Sequence, residues 1–354
     1  MTKYIIRRLL WAIPVLFMVA LVTFILIRAI PGGPFDFSGD KSLPPSVVKN
    51  LEAKYHLDDP VWQQFCSYLI GDKICRPGKE DNHSKGLIMG DLGPSFRYRG
   101  RTVSDILATA LPVSMQLGMM AMILGIGIGI PFGILAALKH NTWIDYTSTF
   151  IAILGVSISN VVLGPLLIWI FALTLGWFPV AQWKAEPLFS GIAQQYINAG
   201  EPIPFWVNLI PKPTFEFFHH AVLPVVVLGT GLSASIARLT RASLLQVVRE
   251  DYIRTARAKG LRERSVIVVH ALKNSLIPVV TILGPMFAAV LTGTFIVEQI
   301  FAIPGLGRHF ITSVGNRDYP VVLGTTLLFG FAIVIANLVV DIVYAWLDPR
   351  VRFD

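Results

Sequence analysis

The sequence is short of charged residues. Only 15% of its 354 residues are Asp, Glu, Lys or Arg, whereas soluble domains carry about 25%. Hydrophobic residues make up 54% of the chain, and several apolar runs reach about 20 residues, which is the length that crosses a bilayer. This combination excludes an ordinary soluble domain and indicates a membrane protein.

Motifs of enzymatic chemistry are also missing. The chain has no Gly-x-x-x-x-Gly-Lys-Ser/Thr phosphate loop, so we expect it not to hydrolyse ATP by itself. It has no His-Glu-x-x-His metal motif and no Gly-x-Ser-x-Gly nucleophile elbow. Gly125, Gly127 and Gly129 follow no strand, so they favour close helix packing over a dinucleotide fingerprint. We therefore predict no enzyme activity, no catalytic residue, no cofactor and no metal site.

Cysteine is scarce, with two residues in the whole chain. The sequence has no Cys/His cluster of the zinc-site type. Cys66 and Cys75 lie in one polar segment, which the charge pattern below places outside the membrane, where a disulfide persists. The sequence is equally compatible with two free thiols.

Six apolar runs predict an all-α membrane protein with about six transmembrane helices. Two short helices, Ser46–His56 and Pro60–Ile70, are expected in the long polar loop over 35–101, and a lead-in helix is expected at Ser104–Leu107. The predicted spans are Leu9–Ile30, Val113–Leu138, Ile144–Phe171, Ala221–Leu239, Leu276–Val297 and Val321–Trp346.

Lys and Arg cluster near both ends of the chain and over 241–273. Because these residues are retained on the cytoplasmic side, the pattern places both termini and that loop inside and the loop over 35–101 outside. The net charge of +8 is explained in the same way, so we predict no nucleic-acid binding.

Polar residues inside two predicted spans are candidates for function. Ser157, Ser159 and Asn160, followed by Pro165, suggest a tilted or broken third span. They could line a pathway, or they could make ordinary polar contacts between helices, which is the commoner use. Asp341 should have a partner, and we favour a hydrogen bond between helices over a proton relay.

The most basic stretch runs over 250–278 and lies between apolar runs. Good helix formers precede Gly260, which suits a helix C-terminus. Tyr252, Thr255, Ala256 and Lys259 share one helical face, and that face is mostly small. One interpretation is a solvated basic loop held inside by its charge; the other is a short helix that docks on a second surface.

The amino-acid sequence of this stretch indicates a function more specifically than its charge does. Thr255-Ala256, Gly260, His270-Ala271-Leu272-Lys273 and Pro278 resemble the cytoplasmic coupling loop of ABC importer permeases of the dipeptide/oligopeptide family. Arg254-Thr255-Ala256 stands where the general pattern has Glu-Ala-Ala, and Leu272-Lys273 stands where it has Leu-Pro. External segments at Gly90-Asp91-Leu92-Gly93-Pro94-Ser95 and Arg317-Asp318-Tyr319-Pro320 are also similar to that family.

The resemblance implies the binding-protein-dependent (type I importer) permease fold, with a first helix and external region over 1–108 and a permease domain over 109–354. It also implies a multi-pass subunit in a prokaryotic cytoplasmic membrane, surrounded by lipid. Its expected partners are a second homologous permease, two ATP-binding subunits and an external substrate-binding protein. The residues expected to form the coupling loop are Asp251, Tyr252, Arg254, Thr255, Ala256, Arg257, Lys259 and Gly260.

The expected cargo is di- or oligopeptides. Nickel, oligosaccharides and antimicrobial peptides remain alternatives, because near relatives of the family carry them. An ion-coupled secondary transporter is the alternative from another class, since it would use intramembrane charges such as Asp341. No role is assigned to the external piece over 66–85, which looks like an insertion relative to the family pattern.

Overall fold

A computed structural model describes residues 2–30, 32–35, 44–76, 84–98, 100–200, 203–291 and 294–347. Within these ranges the backbone is mainly helical, with no β-strand and two isolated β-bridges, at Pro94–Thr102 and Pro187–Pro211. The C-terminal Asp348-Pro349-Arg350 and the middle of the expected insertion, 77–83, lie outside the described residues.

The α-helices follow the predicted order of spans and loops, and π-helical turns at Ile168–Thr174 and Val266–Ala271 extend two of them. In chain order the α-helices of the described ranges are α1 (Thr2–Ala29), α2 (Pro45–Lys54), α3 (Val61–Ile70), α4 (Asp72–Cys75), α5 (Val103–Leu138), α6 (Trp143–Ser157), α7 (Asn160–Leu167), α8 (Ser190–Ala199), α9 (Phe205–Leu209), α10 (Phe215–Val247), α11 (Asp251–Ala258), α12 (Glu263–Ser265), α13 (Leu272–Ser275), α14 (Ile277–Leu291), α15 (Phe295–Ile300), α16 (Leu306–Asn316) and α17 (Tyr319–Leu347).

Five of the helical segments in the described residues are long and apolar enough to cross a bilayer, and a sixth span results if α6 and α7 are taken together. This agrees with the prediction of about six spans. The helices on the two sides of the break between α6 and α7 are bent by 100°. The break falls at Ile158 and Ser159, as the polar residues predicted, and the Ser159 hydroxyl accepts the Val161 N–H to cap the second half.

The second span begins earlier than predicted. Ser104–Leu107 is not a separate lead-in helix, because α5 runs unbroken from Val103 to Leu138. Its start is fixed by a capping box, in which Thr102 and Asp105 satisfy each other's backbone N–H groups. Pro112 lies inside this helix without ending it.

Helices α5 and α10 form the principal helix pair of the fold, and glycines allow their close approach. A Cβ atom added at Gly129 would lie 2.7 Å from the Ser233 carbonyl oxygen, and one at Gly133 would lie 2.6 Å from that of Ala237. The expectation that glycines of the second span serve close packing is therefore confirmed at these positions. A Cβ atom added at Gly127 would have no atom within 4 Å, so Gly127 is not part of this close contact.

The N-terminal span packs on the C-terminal one. α1 lies along α17, and Asp341 of α17 is engaged by two residues of α1: the Tyr4 hydroxyl donates to it over 2.9 Å, and Arg8 forms an ion pair with it. The predicted partner of Asp341 is thus present. The contact joins two helices, as favoured from the sequence.

The segment between α1 and α5, which the charge pattern predicts to be external, forms a small helical layer on the same pair of spans, and we call it the external layer. Phe65 of α3 packs edge-on against Phe24 of α1, and Phe24 shares a buried cluster with Tyr319 at the start of α17. Cys66 and Cys75 are joined by a disulfide, with their Cα atoms 5.9 Å apart. The bond links α3 to α4 at the edge of the expected insertion.

Candidate functional site: the segment between α10 and α13

The basic segment folds as a short helix on the end of the long span α10. α10 ends at Val247, and α11 begins at Asp251 after an extended Glu250. Asp251 lies in the first turn and Arg257 in the last, which suits the helix dipole at both ends. The short helix predicted before Gly260 is therefore present.

One face of α11 is fixed to the rest of the chain. Ile253 is completely buried and Ala256 is 8% exposed. Both belong to a cluster with Ala137 at the end of α5, Leu244 of α10 and Val266 of the following π-helical turn. The helix is consequently held against the ends of the two spans that form the principal helix pair.

The opposite face of α11 is open. Asp251, Arg254, Thr255 and Ala258 are exposed, and so are Tyr252 and Lys259 at its sides. The Tyr252 hydroxyl accepts a hydrogen bond of 2.8 Å from the Asn274 amide, which orients the ring toward α13. This exposed face carries both charge signs and two small side chains.

Ala256 does not lie on the predicted docking face. We expected it there with Thr255, but it is buried against the ends of α5 and α10. Helical spacing makes Ala256 a neighbour of both Tyr252 and Ile253, and it does not indicate which side of the helix the chain's own apolar cluster covers. Ile253, three positions earlier, marks the inward face and carries Ala256 with it.

The C-terminal end of α11 is stabilised by an ion pair and is followed by a residue in the left-handed conformation. The Arg257 guanidinium donates to Glu263 over 2.7 and 3.1 Å. These hydrogen bonds hold the pKa of the Glu263 carboxyl below its usual value and raise that of Arg257. Gly260 has φ +73°, a left-handed conformation in which any residue with a side chain would be strained. The prediction that a glycine ends this helix is therefore confirmed.

The pathway candidates lie elsewhere, at the break between α6 and α7. Ser157 and Ser159 are exposed on the surface of this chain, and Asn160 is half-buried. None of them belongs to the buried cluster that holds α11. Cys66 and Cys75 form a third separate location, in the external layer.

Two buried carboxylates, Glu298 within α15 and Asp318 between α16 and α17, were not predicted from the sequence to be buried. Glu298 is fully buried; it accepts from the Ser114 hydroxyl of α5 over 2.7 Å and from the Arg308 N–H over 3.1 Å. A Cβ added at Gly305 would lie 2.6 Å from the Ser114 oxygen, so the Pro304-Gly305-Leu306-Gly307 turn fits only with glycine there.

Asp318 is the second buried carboxylate. The Ser95 hydroxyl donates to it, and so do the N–H groups of Phe96 (3.1 Å) and Arg97 (3.3 Å). Burial raises the pKa of Asp318, and these hydrogen bonds oppose that shift. Two segments that each resembled the permease family thus meet in one hydrogen-bonded junction, formed by the end of Gly90–Ser95 and by Arg317–Pro320.

The chain therefore combines apolar spans, one broken span and a short helix that is clamped inward and open outward. Two sequence families of transport components match it: "Binding-protein-dependent transport system inner membrane component" over residues 129–353, and the N-terminal family of the same membrane component over residues 1–118. The chain belongs to the family of binding-protein-dependent transport system inner membrane components.

Curated relatives match over the whole length. The oligopeptide transport system permease protein OppB of Salmonella typhimurium is 40% identical over 353 residues, covering 100% of both chains. OppB of Escherichia coli strain K12 has the same identity and coverage. The dipeptide transport system permease protein DppB of Bacillus subtilis is 40% identical, covering 99% of this chain and 98% of its own.

A solved structure shows the same fold at low sequence identity. The inward-facing MetNI methionine ABC transporter contains a chain that is 15% identical, with a TM-score of 0.50, covering 69% of this chain and 96% of its own. The likeness supports the importer-permease fold expected from the sequence.

Proposed function

We propose that this chain is one permease subunit of an ATP-driven importer and forms half of the pathway that carries di- or oligopeptides across the cytoplasmic membrane. It pairs with a second, homologous permease. Two ATP-binding subunits supply the energy, and an external substrate-binding protein delivers the cargo. Both termini and α11 lie on the cytoplasmic side.

The observation that carries this proposal is that one face of α11 is buried against the ends of α5 and α10 while the opposite face is exposed. Ile253 and Ala256 fix the helix to the ends of α5 and α10, so a force on its outer face is transmitted to two membrane spans. The outer face keeps Thr255 and Ala258 exposed and small, which lets a second surface approach closely. A groove of about 570 Å³ beside the first turn, lined by Gln246, Arg249 and Glu250 among others, adds polar docking surface.

The peptide cargo rests on the relatives. OppB and DppB, each 40% identical over the full chain, are named as oligopeptide and dipeptide permeases. The secondary-transporter alternative loses its main support, because Asp341 is occupied by Arg8 and Tyr4 between two helices. A coupling-ion site needs a carboxylate that faces a cavity.

The docking role is tested by a bulky side chain on the open face of α11. Ala258→Trp keeps the inward cluster intact and blocks the close approach, so we expect loss of most of the ATP-binding subunits that co-purify with the chain. Peptide uptake by the reconstituted importer should fall by at least tenfold. Ala199→Trp, also at an exposed alanine but in α8, is the matched control and should retain both.

Ala256→Trp distinguishes docking from internal packing. Because Ala256 is buried against the chain's own helices, this change should lower the thermal stability of the subunit as well as its coupling. If Ala258→Trp co-purifies and transports like the parent protein, α11 is not the ATPase contact, and the solvated basic loop is the better interpretation.

A further inference from the structure

A second cavity lies between the external layer and the ends of two spans. It is lined by Phe24 and Arg28 at the end of α1, by Tyr68 of α3, by Arg76 after α4 and by Tyr319 at the start of α17, among others. Its volume is about 120 Å³, which is enough for a small ion with a few waters. It is separate from α11 and from the break between α6 and α7.

Several buried polar groups that line this cavity lack hydrogen-bond partners among the described residues. Arg76 is only 4% exposed; its Nη2 faces Asp59 and the His56 carbonyl, but its Nε and Nη1 have no hydrogen-bond partner among the described residues. In the same described part of the chain, the Tyr68 and Ser67 hydroxyls are also buried without a hydrogen-bond partner. Buried polar groups are normally satisfied, and several orphaned donors lining one cavity indicate a missing acceptor.

Arg28 adds a further donor. Its Nε and Nη2 donate to the Gln64 side-chain oxygen over 3.1 and 2.5 Å, while Nη1 is buried and unpartnered. Its guanidinium carbon lies 3.6 Å above the Phe24 ring, which fixes its position. No carboxylate of the described residues forms an ion pair with Arg28.

The balance of charge and the position of the cavity define the ligand. Arg28, Lys54 and Arg76 line it, against Asp72 inside and Asp59 beside it. Among the described residues that line or border the cavity the excess charge is positive, which favours an anion as the acceptor. The unpartnered nitrogens and hydroxyls exceed what two carboxylate oxygens can accept, and guanidinium groups match phosphate well. Arg28 is in the last turn of a membrane span, which is the level of lipid headgroups.

We propose that this cavity binds a phosphate group, which Arg28, Arg76 and the Tyr68 hydroxyl hold at the end of α1. The ligand ties the disulfide-linked external layer to α1 and α17. A phospholipid headgroup and dissolved phosphate offer the same chemistry, and the two sources differ only in whether acyl chains are attached.

The test measures thermal unfolding of the full-length chain, purified in detergent with any subunits that accompany it. The probes are sodium phosphate, sodium acetate at equal ionic strength, phosphatidylglycerol, and diacylglycerol as a lipid without phosphate. We expect phosphate or phosphatidylglycerol to raise the unfolding temperature by about 2–5 °C, and acetate and diacylglycerol to have no such effect. A response to phosphate assigns the dissolved ion; a response to phosphatidylglycerol alone assigns the headgroup.

Tyr68→Phe is the decisive variant, because it removes a hydroxyl that has no hydrogen-bond partner among the residues that the structure describes. If the hydroxyl binds the ligand, the apparent affinity for the effective probe should fall by on the order of tenfold. Tyr146→Phe, at an exposed tyrosine of α6, should leave it unchanged. Arg76→Gln should abolish the response. This change also removes the ion pair between Arg76 and Asp59, so Tyr68→Phe remains the test if Arg76→Gln fails to fold. No response to either phosphate probe, an equal response to acetate or diacylglycerol, or an unchanged Tyr68→Phe affinity overturns the proposal.

Discussion

At the scale of single residues, the Asp318 carboxylate joins parts of the chain that are more than 200 positions apart. Three donors on the segment from Ser95 to Arg97 converge on it. Ser95 is buried and Phe96 is half-buried, so loss of the acceptor would leave the Ser95 hydroxyl and the Phe96 N–H without this partner, whereas the Arg97 N–H would keep its hydrogen bond of 3.2 Å to the Ser95 oxygen. This is the situation in which loss of one group costs most, because its partners stay desolvated.

We predict that Asp318→Asn destabilises the subunit by about 1–3 kcal/mol, because its amide nitrogen faces donors where the carboxylate accepted from them. The pH dependence should change as well. Burial raises the folded-state pKa of Asp318 above the unfolded value of about 3.9, so Asp318 contributes a downward slope to the stability of the parent protein as pH rises between those two values, and no slope above them. Asp318→Asn should lack this slope.

Thermal unfolding of the purified chain between about pH 3.5 and 6 measures both effects. Asp58→Asn, at an exposed aspartate of the same external region, is the control and should follow the parent protein. An Asp318→Asn protein as stable as the parent, with the same pH slope, would show that the junction carries no stability.

At the scale of helices, the sequence predicted features that are determined by residues close together in the chain. Ser157, Ser159 and Pro165 correctly located the break in the third span. The start of α5 was misplaced, although Thr102 and Asp105 carry the capping-box pattern that fixes it. The inward turn of Ala256 was also missed, since the face that a short helix buries is decided by the spans beneath it and not by its own spacing.

The close approach of α5 and α10 gives an element-scale prediction with an internal control. Gly133→Ala should destabilise the helix pair by about 1–3 kcal/mol, because its Cβ would lie 2.6 Å from both the Ala237 oxygen and the Thr240 Cβ. Gly127→Ala, six residues earlier in the same helix, meets no atom within 4 Å and should be neutral or stabilising, since alanine favours helix more than glycine does.

Unfolding of the two variants in mild denaturing detergent, followed by helical circular dichroism, compares them directly. The backbone propensity term is the same at both positions, so the difference between the variants reports the interhelical contact alone. Equal midpoints for the two would argue that α5 and α10 are not in close contact at Gly133.

At the scale of the whole molecule, the low charge content and the apolar runs sufficed to predict a membrane protein with about six spans. They could not supply the contacts between distant segments. The pairs Ser114–Glu298 and Ser95–Asp318 each join residues more than 180 positions apart. The family-like segments that contain Ser95 and Asp318 were noticed separately, because a single sequence records no contact between them.

The orientation of the chain in the membrane is the last prediction and governs the docking proposal. In a protein with its Cys66–Cys75 bond intact, Leu261→Cys places a reactive thiol just after Gly260, and Ile88→Cys places one in the external loop. Both native side chains are exposed, at 42% and 76%, so each introduced thiol should be accessible from its own side. An impermeant maleimide added to intact cells should label Ile88→Cys and spare Leu261→Cys, and permeabilisation should make both react. The Lys and Arg around α11 require this outcome, because they are retained on the cytoplasmic side. Labelling of Leu261→Cys in intact cells would place α11 outside, where no ATP-binding subunit could reach it, and would remove the basis of the coupling assignment.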